Sequence, residues 1–211
     1  AVSFASSPQA VYANGGPGIW IEDSTEVVIV GMDINANGRD VDNTHFGLMT
    51  GVYIEKSSKV SIGLPPGPDR LVDAGSLFSK SGQQMVGITI GPNPGNDVLI
   101  RGNLFKGEFA PVMVTEGSTG VIHYLHNTAR DIDGTAFKCE GGGGATTSVV
   151  ARNNIFLAAG GSSPVIWDVA GCTIQDAAVD HALFSSEFQC TVAENCSWFN
   201  TGTAVMILIG T

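Results

Sequence analysis

The sequence predicts an all-β chain wound as a right-handed parallel β-helix of about six to seven coils, and three observations carry that expectation. Gly18 to Ile29 (GIWIEDSTEVVI) aligns without a gap to Gly51 to Ile62 (GVYIEKSSKVSI), a shift of 33 residues. Weaker copies follow, so that units begin at Ile19, Val52, Ile88, Val112, Phe137 and Val165, spaced by 33, 36, 24, 25 and 28 residues. Repeats of this period, built from short alternating strands and Gly/Asn turns, stack as solenoids because one unit cannot bury its own apolar face. Finally, the composition has 28 Gly in 211 residues and 14% charged residues, and no segment keeps apolar residues at i, i+3, i+4, i+7 through three helical turns.

Taken in order, residues 1–18 read as a lead-in to a single domain. The first unit alternates Ile19-Trp20-Ile21-Glu22 before its turn and Val27 to Ile29 after it; the second repeats this as Val52-Tyr53-Ile54-Glu55 and Val60 to Ile62. Gly63 to Gly75 inserts three prolines, a stiff loop of the kind that walls one side of a solenoid. Gly87-Ile-Thr-Ile then leads to Val98-Leu-Ile-Arg, Pro111-Val-Met-Val to Val121-Ile-His-Tyr, Ala136-Phe-Lys-Cys to Val149-Val-Ala-Arg, and Pro164-Val-Ile-Trp to His181-Ala-Leu-Phe. Residues 185–211 read as an irregular closing segment. Within it Ala204 to Ile209 is apolar on both faces, which calls for a cover from the chain's own ends or from another subunit. A unit of 24 residues holds two or three short strands and not the four of a propeller blade; the leucine-rich scaffold is also absent.

Charge and cysteine content narrow the partners. Ten Lys plus Arg against 20 Asp plus Glu give a net charge of −10, which disfavours nucleic acid and anionic membranes. The longest uncharged apolar stretch, Thr203 to Gly210, is far shorter than the roughly 20 residues of a spanning helix, and the N-terminus carries no signal-peptide pattern, so any such peptide is expected to be gone already. Cys139, Cys172, Cys190 and Cys196 permit three complete pairings, with a local Cys190–Cys196 bridge or buried thiols both open. Gly141 to Gly144 lacks the Lys-Ser/Thr of a phosphate loop.

These coils resemble the pectin-lyase-like superfamily of parallel β-helices. Asn103, Asn127 and Asn154 occupy equivalent places in three successive coils, with Asp33 taken as the matching position earlier, and look like that family's internal asparagine ladder. The resemblance implies a fold and leaves the reaction open, since the superfamily includes lyases, hydrolases, epimerases, phage tailspikes and adhesins. It also implies that function sits on the outer face of each coil's first strand and the loops before it.

Strand alternation places Trp20, Tyr53, Thr89, Met113, Lys138 and Ile166 in one outward column and Glu22, Glu55, Gly91, Thr115, Glu140 and Asp168 in the next. Trp20 and Tyr53 offer a flat platform for sugar rings, and Glu22, Glu55 and His126 offer hydrogen bonds to hydroxyls. Stacked carboxylates raise one another's pKa unless a cation intervenes. Arg130, Asp131, Asp133, Lys138 and Glu140 form the candidate catalytic set: a base and a carboxylate-neutralising cation for β-elimination, or paired acids for glycoside hydrolysis. Asp33-Ile-Asn35-Ala-Asn37-Gly38 has the alternating oxygens and turn glycine of a calcium loop, with Asp40 or Asp42 as the residue to complete it. The expectation is therefore a secreted β-helix that binds or depolymerises a polysaccharide, with Ca2+ as the candidate cofactor. The competing expectation is a non-catalytic phage-tail, surface or filament component that assembles through the helix ends.

Overall fold

A computed structural model describes residues 9–38, 48–63, 75–80, 83–92, 95–140, 147–158, 165–168, 178–180, 183–184 and 206–207. Its strands form three sheets. The first holds β2 (Ile19–Glu22), β5 (Thr50–Glu55), β8 (Val86–Ile90), β11 (Ala110–Val114), β14 (Thr135–Cys139) and β17 (Val165–Asp168). The second holds β3 (Val28–Ile29), β6 (Val60–Gly63), β9 (Asn96–Arg101), β12 (Gly120–Leu125), β15 (Thr147–Arg152) and β18 (Ala178–Asp180). The third holds β1 (Gln9–Tyr12), β4 (Met32–Asn35), β7 (Leu77–Ser79), β10 (Leu104–Lys106), β13 (Thr128–Ile132), β16 (Ile155–Ala158), β19 (Leu183–Phe184) and β20 (Met206–Ile207). The chain visits the sheets in fixed order, so each strand from β1 to β16 pairs in parallel with the strand three places later; β20 alone pairs antiparallel, with β19. No α-helix occurs among the described residues.

The register follows from which side chains can be buried. Ile19, Val52, Ile88, Val112 and Phe137 pair in line along the first sheet. The sixth unit departs from the expected spacing: Phe137 meets Trp167 and Lys138 meets Asp168. Asp168, not Ile166, therefore stands beside Lys138. A slip of two residues keeps the in/out alternation, which is why the pattern of apolar residues could not reveal it. The lead-in also contributes a strand, β1, which lies on β4.

Inside, the third sheet stacks Ile34, Phe78, Phe105, Ala129 and Phe156 in register, and Phe78 and Phe105 lie 4.9 Å apart at 16°. Tyr124 fills the space left by Ala129 and Ala151, packing 6.1 Å from both Phe105 and Phe156. Each such ring contributes roughly 1.5–3 kcal/mol by leaving water.

Two interior polar lines tie coil to coil. At the corner between the second and third sheets, Asn103 donates its N–H and Nδ2 to Asn127 Oδ1 at 3.0 and 3.1 Å, and Asn127 donates its own to Asn154 Oδ1 at 2.9 and 3.3 Å. Each amide also donates to a backbone carbonyl of the preceding coil: Ile62, Ile100 and Tyr124 respectively. The earlier rungs are Ser76 and Met32, because Leu104 pairs with Leu77 and Leu77 with Asp33. Asp33 thus stands one residue past the ladder, on the outer face. At the corner between the third and first sheets, Asn14 donates to Asn37 Oδ1 at 2.8 Å, Asn37 to Gln84 Oε1 at 2.9 Å and Gln84 to Glu108 Oε1 at 3.1 Å. Glu108 is fully buried, its Oε2 has no hydrogen-bond partner among the described residues, and burial raises its carboxyl pKa well above the ordinary range.

Cys139 is disulfide-bonded, which removes the buried-thiol alternative for that residue. Residues 64–74, Gly141 to Gly144, Cys172, the Cys190–Cys196 pair and, apart from β20, the closing segment 185–211 lie outside the described residues.

Candidate functional site

The outer face of the first sheet brings the expected platform together. Trp20 and Tyr53 pair in register, with ring centroids 4.9 Å apart and planes tilted by 51°. Trp20 is 51% exposed, whereas Tyr53 is half-buried. Gly91, on the next rung beyond Glu55, leaves room for the Tyr53 hydroxyl, where any Cβ would collide with it. Burial, followed by the charge and hydrogen bond of Glu55, raises the Tyr53 phenol pKa.

Glu22 and Glu55 stack one rung apart, and the cation that separates them is local. The turns Asp23 to Glu26 and Lys56 to Lys59 share one backbone shape, with positive φ at Asp23, Glu26, Lys56 and Lys59. Ser24 and Ser57 each donate a hydroxyl to the carbonyl two residues back, at 2.8 Å in both cases, and Ser57 Oγ accepts the Ser24 N–H at 3.0 Å. The second turn carries lysines where the first carries acids. Lys56 Nζ therefore lies 3.2 Å from Glu22 and 3.5 Å from Glu55, and Lys59 lies 3.4 Å from Glu26. The Glu22 hydrogen bond and the charge of Glu55 raise the Lys56 pKa.

The same two columns do not form one open cleft. Thr89 and Met113, between Tyr53 and Lys138, are fully buried, and Met113 joins a small cluster with Val86 and Ala110 against which Phe109 packs. Four rungs separate Trp20 from Lys138, about 19 Å at the usual strand spacing. Lys138 bonds Glu140 at 2.5 Å and lies 5.9 Å from the Phe109 ring centre.

Of the remaining catalytic candidates, Arg130 and Asp131 stand on another sheet and Asp133 in the bend that joins it to β14. A bulge between Ala129 and Ile132 in β13 exposes both Arg130 and Asp131, which approach to 4.0 Å, while Asp133 pairs with Lys80 at 3.0 Å. Asp133 is thus bound to Lys80 and not to Arg130. His126 sits at positive φ in the turn after β12, and partial burial and the nearby Arg101 lower its pKa. The chain runs round three faces, so closeness in sequence between Arg130 and Lys138 does not become closeness in space.

The calcium loop does not fit its expected ligands. Asp33 and Asn35 face outward and bond each other at 2.9 Å, but Asn37 is fully buried with its amide held by Asn14, Gln84 and the Val11 carbonyl. Strand alternation followed by an inward turn sends the third oxygen to the interior. Asp40 and Asp42 lie outside the described residues, among which no group of three or more His, Cys, Asp or Glu is placed to hold a metal.

No family model, curated protein or solved structure matches this chain. The residues that the sequence did not single out are Lys56, which organises the paired glutamates, and Glu108, which ends an interior polar line. The 33-residue repeat carried the signal for Lys56, since it sets Lys56 opposite Asp23. Glu108, within Lys106-Gly107-Glu108-Phe109, reads as an exposed turn acid until it is stacked on Gln84.

Proposed function

We propose that the chain is a right-handed parallel β-helix of the pectin-lyase-like kind, and that it is a secreted protein that binds a polysaccharide through the Trp20–Tyr53 platform. The observation that carries this reading is the half-exposed Trp20 ring leaning on Tyr53 at 4.9 Å, beside carboxylates already oriented by Lys56. An aromatic face meets the C–H side of a sugar ring while adjacent carboxylate oxygens accept its hydroxyls. Two glutamates against one lysine favour an uncharged glycan at this end. Binding is the core of the reading and depolymerisation is not, because Lys138 and Glu140 are bonded to each other, Arg130 and Asp131 stand on a different sheet and Asp133 is paired with Lys80.

Titration of the protein with uncharged oligosaccharides, followed by tryptophan fluorescence and by product analysis, tests both halves. Binding that disappears in Trp20→Ala without release of shorter sugars is the expected result. Unaltered binding in that variant, or turnover, sinks the reading.

A second reading, a structural or adhesive β-helix that assembles through its ends, has its own support. An apolar pocket of about 270 Å³ in the first coil is lined by Ile19, Ile21, Val27, Ile29 and Met32. Sedimentation over a range of concentrations separates the two: a concentration-independent monomer counts against assembly.

A further inference from the structure

The cations of this acidic chain are not evenly spread. Arg101 and Arg152 end β9 and β15 and stand in one column, two rungs apart with Leu125 between them. On the adjoining third sheet Lys106 pairs in register with Arg130. Lys106, Arg130 and Arg152 are exposed and Arg101 is half-buried. Arg130 has Asp131 at 4.0 Å, whereas Arg101, Lys106 and Arg152 have no ion pair among the described residues. Between the two columns runs a floor of half-buried Leu104, Thr128 and Ile155, which pair in register.

We propose that this face, across β10, β13 and β16, binds one extended chain of an acidic polysaccharide, a role separate from the Trp20 platform. Its length argues for a polymer. Arg101 and Arg152 are two rungs apart, about 10 Å, so they cannot converge on one small anion, but they match charges repeating along a linear chain. The narrow apolar floor suits the C–H faces of sugar rings, and the arginine forks on its margin suit carboxylate or sulfate oxygens. Single-stranded nucleic acid is a poorer fit, because it needs aromatic side chains beside the cations. Tyr12, the one large exposed aromatic on this sheet among the described residues, stands three rungs up the Lys106 column. Asp33, further along the floor column, bounds the surface at one end.

The test measures binding of the full chain to oligogalacturonate, a sulfated oligosaccharide, a neutral cello-oligosaccharide and a single-stranded oligothymidylate, at low and high salt. The expected result is salt-sensitive binding of at least one acidic glycan in preference to the neutral one. That affinity falls about tenfold or more in Arg101→Gln/Arg152→Gln and in Lys106→Gln/Arg130→Gln, and stays unchanged in Lys59→Gln. The two acidic ligands tell carboxylate from sulfate recognition. Circular dichroism matching that of the parent chain confirms that each variant is folded. Failure of both acidic glycans to bind, equal affinity in the double variants, or oligothymidylate binding as tightly as the glycan overturns the proposal.

Discussion

Gln84 Nε2 donates to Glu108 Oε1 at 3.1 Å, and the second carboxyl oxygen of Glu108 has no hydrogen-bond partner among the described residues. The next coil explains why the line stops there. Its inward residue at this corner is Ile132, part of the apolar core, so no further amide receives the chain of donors.

The consequence is a pH dependence of stability with a definite sign. Burial raises the Glu108 pKa, and the buried Tyr124 hydroxyl, itself raised by burial and by Glu108, offers no compensating charge. The folded state keeps the Glu108 proton at pH values where the unfolded chain has lost it. The group's favourable contribution is therefore complete below the ordinary carboxyl range and is lost as pH rises through that range towards the folded value. Glu108→Gln is expected to gain on the parent chain as pH increases, by about 1–3 kcal/mol at pH 8. Thermal melts from acid to mild alkali check it; parallel curves for the two proteins refute it.

Asn127→Ala removes the acceptor for two donors of Asn103 and the donor to the Ile100 carbonyl. These groups are buried, so the loss is expected to be about 2–5 kcal/mol, from unsatisfied polar groups costing about 1–3 kcal/mol each. Urea unfolding measures it. A change within about 0.5 kcal/mol, as for an ordinary surface site, would mean that water replaces the amide.

Gly63 has φ of +96°, and a Cβ there would run into the Arg101 carbonyl and the Asn103 amide. Gly63→Ala is expected to cost more than the usual Gly-to-Ala penalty of about 1 kcal/mol in left-handed backbone. The obstacle is the ladder itself, which cannot give way cheaply. Soluble yield and melting temperature report the effect, with parent-like values contradicting it.

Lys56→Met leaves Glu22 and Glu55 stacked with no cation between them. The charge of Lys56 also lowers the Tyr53 phenol pKa, so the variant is expected to titrate Tyr53 at higher pH than the parent chain, which ultraviolet titration reads directly. An unchanged Tyr53 titration would show that Lys56 does not act on this face.

Much of the fold was legible because period and alternation are enforced by burial. Ile19, Val52, Ile88, Val112 and Phe137 must all face inward, and so Trp20 meets Tyr53 and Glu22 meets Glu55 as expected. The ladder was legible only where its rungs are asparagine: Ser76 and Met32 occupy the same line without the same side chain. The bulge at Arg130 and Asp131 was hidden because both residues suit an exposed turn equally well. The slip that brings Asp168 to Lys138 preserves parity and leaves no trace in the apolar pattern. The cover over Thr89 and Met113 comes from tertiary packing, which strand periodicity does not encode.

The asparagine line also has a direction. Ser76 N–H donates to Asn103, Asn103 N–H to Asn127, and Asn127 N–H to Asn154. Each turn is completed by an amide that lies 24 to 27 residues further along the chain. As the polypeptide leaves the ribosome, the newest coil always ends in an open corner that the following coil must close. Ordered structure then trails synthesis by one full circuit, and a chain halted between Asn127 and Asn154 would present Asn127 as an unsealed growing tip.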